Sequence, residues 1–465
     1  MRKSVPFLFT LGLFLLMASG DMLTQGMFLD GLIYSGVAKS MSLGIGSFWH
    51  PSYTATCDAA FYAHPPLMMW MLSLWFRVFG ASMLSAKMYA ILVTVGCAAL
   101  MTSVWRRMGG SRHTSWMPLL MWTLIPPVSH FSCNNMLEFT MSLFVLGSVW
   151  CMLGDKRPWV GHLAGGLLLA CAFLTKGLTG LFPLALPVLI WLLGAKPGRT
   201  FVHTLGLTLC VVAGVVLPLA AIVLLSPDAK SFLQVYFEKQ VISGMQVPVV
   251  TNRFYIVGRF FQHTLAVWVL MLVVLVLGMA SKSAALRVGK LVGDNRMALV
   301  MLVLAFCGVL PMMISTKQRD FYLLTAYPFL ALAAAALARP YVEQRCRWMG
   351  SRVTTVVTVV VLVAAVVANG VMCGKPGRDK AMLNDMHVIT SQLEEGELVT
   401  IPVSLRTVWS LTGYYYLDRQ VSLDPYHPHR HLLTKAGEGL REWDGMYREV
   451  PLPTEEYKLY EFVAE

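Results

Sequence analysis

Acidic side chains are nearly missing from most of this chain. Residues 1–372 hold only ten Asp and Glu. Charged residues of both signs make up 13% of the 465 residues, against 56% apolar ones. Soluble domains rarely carry so little charge over such a length, so the chain reads as a polytopic membrane protein. The mean hydropathy of +0.62 agrees. The nine cysteines form no CxxC pair and no metal-ligand spacing, which argues against zinc-site and dithiol chemistry. Most of them (Cys97, Cys151, Cys171, Cys210, Cys307) fall in apolar runs, where cysteine is a small packing residue. Asn-x-Ser/Thr sequons are absent, which excludes N-glycosylation and fits a bacterial origin.

The net charge of +12 raises nucleic-acid binding, but its distribution argues against that. Residues 1–372 carry 27 Lys and Arg, mostly between apolar runs. Residues 373–465 reverse the balance, with 10 basic and 15 acidic side chains. A span needs about 20 apolar residues. Eleven candidates emerge: 5–23, 84–105, 114–131, 136–153, 158–174, 177–194, 202–225, 262–281, 297–314, 320–338 and 353–372. The first follows Arg2 and Lys3 and is read as an uncleaved helix. With the N-terminus in the cytoplasm, alternate loops hold the densest cation clusters. These are Arg106/Arg107/Arg112, Lys156/Arg157, Lys196/Arg199, Lys282/Arg287/Lys290/Arg296 and Arg339/Arg345/Arg347/Arg352. That alternation is the positive-inside pattern and places the protein in a plasma, here bacterial inner, membrane. Pro65 to Gly80 is apolar but short, and as a span it would break the pattern. Trp70, Trp75 and Arg77 suit a helix lying in the interface.

The expected fold is therefore about eleven transmembrane helices plus interfacial ones over residues 1–372. External loops fall at 24–83 and 226–261. Residues 373–465 read as a small external α/β domain. Its elements are helices at 379–393 and 405–417 and strands at 397–402, 420–423 and 457–463.

Two acids stand beside spans, where a carboxylate is costly unless paired or used. Asp30 opens an amphipathic helical stretch with Tyr34, Val37 and Met41 on its face. The plain alternative for Asp30 is a helix N-cap, and for Tyr34 an interfacial anchor. Glu138 follows Ser132-Cys133-Asn134-Asn135 at the start of another span; its plain alternative is pairing with a helix dipole. His64 precedes Pro65-Pro66, a rigid turn, and is otherwise an ordinary surface histidine. Lys176, in Thr175-Lys176-Gly177, either faces a site or snorkels. Lys317, Arg319 and Tyr322 lie in a short charged turn. There Arg319 and Lys317 suit a phosphate, unless Asp320 neutralises Arg319.

Taken in order, these residues resemble the GT-C class of membrane glycosyltransferases. They are most like the lipid A aminoarabinose transferases and the dolichyl-phosphate-mannose protein mannosyltransferases. The resemblance rests on Asp30 and Tyr34, then Phe61, His64-Pro65-Pro66-Leu67, Trp70 and Phe79-Gly80. It continues through Glu138, Leu174-Thr175-Lys176-Gly177, and Ser315, Lys317, Tyr322, Leu324, Pro328 and Leu330. It departs at Gly31, where the family has a second acid, at His64, where it has Lys, and at Glu138, where it has Asp.

The resemblance implies sugar transfer with inversion from a polyprenyl-phosphate donor to a lipid, glycan or protein hydroxyl. Asp30 would be the base, and Glu138 would orient a substrate or share a divalent cation with Asp30. Tyr34, His64, Lys176, Lys317, Arg319 and Tyr322 would bind the donor phosphate or substrate. No motif demands a cofactor, and the partners are membrane lipids rather than nucleic acid. A transporter and a non-catalytic lipid-binding relative are the alternatives.

Overall fold

The computed structural model describes residues 4–57, 60–242, 249–280, 295–345, 351–438 and 445–463, with 293, 440 and 443. The inner-loop cations Arg2, Lys3, Lys282, Arg287, Lys290 and Arg347 lie outside the described residues, as does part of the second external loop.

Helix α1 (Val5–Met17) leads through a turn to α2 (Leu29–Ser42), the helix of Asp30. Helix α3 (Leu67–Phe79) packs on α2, and Arg77 donates to the Met41 carbonyl at 3.1 Å. Its 13 residues reach only about 20 Å, short of the hydrocarbon thickness of about 30 Å. Helix α4 (Met83–Arg107) starts at Ser82, whose hydroxyl caps Ser85 N–H at 3.1 Å. The bundle continues with α5 (Trp116–Thr123), α6 (Pro126–Phe131), α7 (Leu137–Met152), α8 (Pro158–Lys176), α9 (Leu186–Leu192) and α10 (Phe201–Leu225). Beyond it come α11 (Pro227–Tyr236), α12 (Tyr255–His263), α13 (Leu265–Ala280), α14 (Arg296–Val309), α15 (Tyr327–Arg345) and α16 (Arg352–Met372).

The eleven expected spans are not eleven long helices. Among the described residues five helices are long and apolar enough to cross a membrane: 83–107, 158–176, 201–225, 296–314 and 352–372. Helices α12 and α13 add a sixth only as a pair bent by 64°. The other apolar runs are short or broken, two of them at prolines. Pro126 and Pro127 separate α5 from α6. Gly177, Pro183 and Pro187 turn 177–194 into a 3-10 segment, Leu178–Ala185, followed by α9. The run from 320 starts as a 3-10 segment, Asp320–Thr325, before α15.

One end of the bundle gathers the cationic loops. Arg107 lies over Trp150 at 3.8 Å, Lys196 pairs with Asp155, Arg296 donates to Gly194, and Arg339 donates to Gly109. The sequence clusters of alternate loops thus share one end. The first turns of α2 and α7 and the last turn of α8 occupy the other.

Over that second end sits a mixed five-stranded sheet, β1 (Leu398–Thr400), β2 (Ser422–Asp424), β3 (His431–Lys435), β4 (Tyr447–Glu449) and β5 (Tyr457–Phe462). Its order is β2-β1-β3-β5-β4. Helix α17 (Lys380–Thr390) precedes it. Helix α18 (Trp409–Arg419) makes the crossover between the parallel pair β1 and β2. Helix α18 packs on α2. Lys39 Nζ donates to the Tyr416 and Leu417 carbonyls in the last turn of α18, both at 3.0 Å. Tyr416 and Ser40 share a 2.6 Å hydroxyl contact. Helix α2 is thereby held between α3 and the sheet unit.

Candidate active site

Helices α7 and α8 form an antiparallel hairpin with arms of similar length, 16 and 19 residues. That geometry sets the first turn of α7 beside the last turn of α8. Glu138 and Lys176 meet there as a fully buried ion pair. Glu138 is 0% exposed, and its second oxygen, Oε2, has no hydrogen-bond partner among the described residues. Lys176 Nζ also lies 4.4 Å from the Tyr322 ring centroid and 5.2 Å from that of Phe321. Lys176 is therefore a buried, paired cation and does not snorkel. Helix α8 stops at Gly177, whose φ is +85°; a Cβ there would lie 2.0 Å from the Tyr236 hydroxyl.

Asp30 is at the second position of α2. The N-cap is Phe28, so Asp30 is not capping the helix. The Tyr34 hydroxyl, one turn on, hydrogen-bonds the Asp30 carboxylate. Burial pushes the Asp30 carboxyl above its ordinary value, and the nearby Lys176 and Arg319 charges offset this only in part. Tyr34 is itself held far above the usual phenol value by burial and then by Asp30 and Glu138, so it stays a neutral donor. The His64 ring meets Tyr34 edge-on at 5.7 Å. Burial, then Lys176 and Lys317, drives the His64 pKa well below the ordinary imidazole value. The family's cationic Lys is thus replaced by a neutral imidazole near pH 7, not by a cation that comes and goes there.

Lys317 reaches the same site from the 315–319 turn, and its Nζ donates to Gln240 Oε1 at 3.0 Å. Arg319 is exposed and acts electrostatically on Asp30 and Tyr322. Asp320 does not neutralise it. That carboxylate pairs with Arg259 and accepts from the Tyr255 hydroxyl at 2.7 Å. The fold thus brings Asp30, Tyr34, His64, Glu138, Lys176, Lys317, Arg319 and Tyr322 into one mixed-charge cluster.

Sequence reasoning gave no role to the residues that hold this cluster. Asn134 Oδ1 accepts from Phe28 N–H at 2.7 Å and fixes the start of α2. Asn135, at φ +50°, donates to Ser35 Oγ at 2.9 Å. Gly31 lies so close to this loop that a Cβ would fall 1.7 Å from the Asn134 carbonyl oxygen. The second acid of the family pattern has no room at position 31. Gln318 is 1% exposed. Its amide donates to the carbonyls of Arg253, Met312 and Ser315, and its oxygen accepts from Ile256 N–H at 2.9 Å. It locks the turn that presents Lys317 and Arg319. Phe28, Phe131 and Phe321 meet edge to face and join three site-bearing segments. The polar run Ser132–Asn135 and the paired flanks of Gln318 were the available sequence signals.

A divalent cation shared by Asp30 and Glu138 was a sequence expectation. Among the described residues no three His, Cys, Asp or Glu stand together in a metal-binding group. One oxygen of Glu138 is taken by Lys176. Two carboxylates, one already paired with an ammonium, fall short of a protein-built cage for such a cation.

Residues 63–225 match the family model for dolichyl-phosphate-mannose-protein mannosyltransferase. Across almost the whole chain the fold is similar to that of ArnT from Cupriavidus metallidurans. The apo state gives a TM-score of 0.65 at 14% identity, covering 98% of this chain and 97% of that one. ArnT bound to undecaprenyl phosphate gives 0.62 at 16% identity, covering 98% of each chain. An oligosaccharyltransferase from Archaeoglobus fulgidus gives 0.48 at 12% identity, over 94% of this chain and 68% of that one. No curated protein matches the sequence. The GT-C resemblance read from the sequence is thus borne out twice, by the mannosyltransferase family pattern over residues 63–225 and by a fold shared with ArnT from end to end.

Proposed function

We propose that this protein is a membrane glycosyltransferase that moves a sugar from a polyprenyl-phosphate donor to an acceptor hydroxyl, with inversion. The observation that carries this reading is the charge arrangement of the site. Two carboxylates in the first turns of α2 and α7 face Lys176, Lys317 and Arg319 at one end of the helical bundle. ArnT, the structural relative, is known bound to undecaprenyl phosphate, which supports this donor class.

Three cations against two carboxylates leave one positive charge. A sugar phosphodiester brings one negative charge, so the loaded site is close to neutral. Cleavage of the anomeric C–O bond gives the leaving phosphate a second negative charge. Lys317 and Arg319, unpaired with carboxylates among the described residues, are placed to stabilise it. Asp30 takes the proton of the acceptor hydroxyl as that oxygen attacks the anomeric carbon from the opposite face. Its raised pKa makes it a better proton acceptor than an exposed aspartate. Tyr34 holds it in place. Oε2 of Glu138, without a hydrogen-bond partner among the described residues, accepts from a substrate hydroxyl, while Lys176 pairs with the other oxygen.

The acceptor is a lipid, glycan or protein hydroxyl. In this reading the catalytic end faces the external side and the cationic end the cytoplasm. A transporter would carry its acids in mid-span, whereas both stand in first helical turns at one end.

Lipid mass spectrometry of wild-type, deletion and Asp30→Asn cells tests the reading. Loss of a general base slows transfer by about 10²-fold or more. One polyprenyl-phosphate sugar is expected to accumulate in both mutants, and its mass names the sugar. Unchanged lipids in both strains would overturn the proposal.

A further inference from the structure

At the cationic end, opposite the candidate active site, a cavity of about 710 Å³ opens between the start of α1, the end of α4 and the start of α5. Its polar lining is Ser4, Thr102, Arg106, Arg112, His113 and Ser115. Arg106 and Arg112 are exposed, and neither forms an ion pair or side-chain hydrogen bond among the described residues. Arg107, the neighbour of Arg106, is differently engaged, over Trp150. No acidic residue occurs anywhere in residues 1–20 or 59–137, the segments that surround this cavity. Two guanidiniums therefore line one cavity with no carboxylate paired to either among the described residues.

A second cavity adjoins it across Phe7. Phe7 lines both, and Ala98 in the second stands one helical turn from Thr102 in the first. This second space, about 430 Å³, lies between α1, α4 and α5. Its wall is almost wholly apolar and includes Leu11, Phe14, Val95 and Leu119. From Ile91 to Arg106 the two follow α4 for about 22 Å, more than the roughly 15 Å hydrocarbon depth of one leaflet. Leu11 is 49% and Val95 59% exposed, so the groove opens to the surface that lipid covers.

A cationic pocket that adjoins an apolar groove along a membrane helix has the two-part chemistry of a phospholipid. We propose that this site binds an anionic phospholipid of the leaflet at the cationic end. Arg106 and Arg112 hold the phosphate by forked hydrogen bonds, His113 and Ser115 flank it, and an acyl chain lies between α1 and α4. The site is separate from the one that would perform sugar transfer, and its occupancy is measured by binding.

Native mass spectrometry of the full-length protein in zwitterionic detergent tests this. Phosphatidylglycerol and phosphatidylethanolamine are offered at equal mole fraction. Wild type is expected to retain phosphatidylglycerol preferentially. Arg106→Gln with Arg112→Gln should lower that retention about 30-fold, with unchanged melting. Arg106→Lys with Arg112→Lys keeps the charge and should keep the lipid. Val95→Trp fills the groove, leaves the arginines in place, and should also displace it. Equal retention of both lipids would reduce the site to an apolar crevice and overturn the proposal. So would undiminished phosphatidylglycerol in the glutamine pair, or its displacement by inorganic phosphate alone.

Discussion

Lys176→Met removes one partner of the buried pair and leaves the other in place. Glu138 is wholly buried, and among the described residues Lys176 is the one cation that forms an ion pair with it. Breaking such a pair costs about 3–5 kcal/mol, because a bare charge remains in a low-dielectric site. The lost contact with the Tyr322 face adds about 0.5–2 kcal/mol. Glu138→Gln together with Lys176→Met leaves no charge behind, and methionine fills most of the lysine volume. The double variant should therefore recover much of the loss, with a coupling between the two sites of about 2 kcal/mol or more. Thermal melting of the four proteins in one detergent measures this. The lysine variant should melt about 4–7 °C below wild type, and the double variant clearly above the single. Both should be inactive, since neither keeps the cation. If the single and double variants melted alike, Glu138 would not be a charge that depends on Lys176, and the charge count of the site would be wrong.

Gly31→Asp, which restores the acid of the family pattern, should destabilise by about 2–3 kcal/mol and lower activity; a gain in activity would refute the close contact with Asn134. Asn134→Ala strands the Phe28 N–H at the start of α2 and should cost about 1–3 kcal/mol in a melting series, with a fall in kcat larger than any change in KM. Because the Asp30 carboxyl is raised, the ionised base is lost as pH falls through a value above the usual 3.9 or so, and the acid limb of the rate profile should sit correspondingly high. Stability runs the other way at Asp30. The folded state binds the proton more tightly than the unfolded one, so the stabilising contribution is full at low pH and is lost as pH rises through the folded value. Asp30→Asn should remove that acid limb from whatever rate remains.

Much of the site was legible because its chemistry needs residue types that a membrane chain otherwise avoids. Asp30, Glu138 and Lys176 stand out against apolar surroundings, and the turn holding Lys317 and Arg319 stands out by its charge density. The helical character of 83–107, 201–225 and 352–372 was equally plain, since apolar runs of that length have few other solutions in a membrane. The count of spans was not legible in the same way. Apolar length alone does not separate a straight helix from one cut by Pro126 and Pro127 or turned by Gly177. Strands β3 and β4 also escaped notice. The first is buried on both faces and shows no alternation, and the second has three residues.

By itself, the sequence determined the membrane class of this protein, the alternation of its cationic loops and which charged residues stand out as candidates for the site. Those follow from local terms, namely transfer of side chains to hydrocarbon and the cost of a lone charge there. Only the tertiary structure decided who pairs with whom. Asp320 neutralises Arg259 and not Arg319, Glu138 takes Lys176 from 38 positions away, and Gly31 is forced by a carbonyl on another loop. These are long-range distances set by helix lengths and turn geometry, and an electrostatic partner is chosen by distance in space, which residue order does not record.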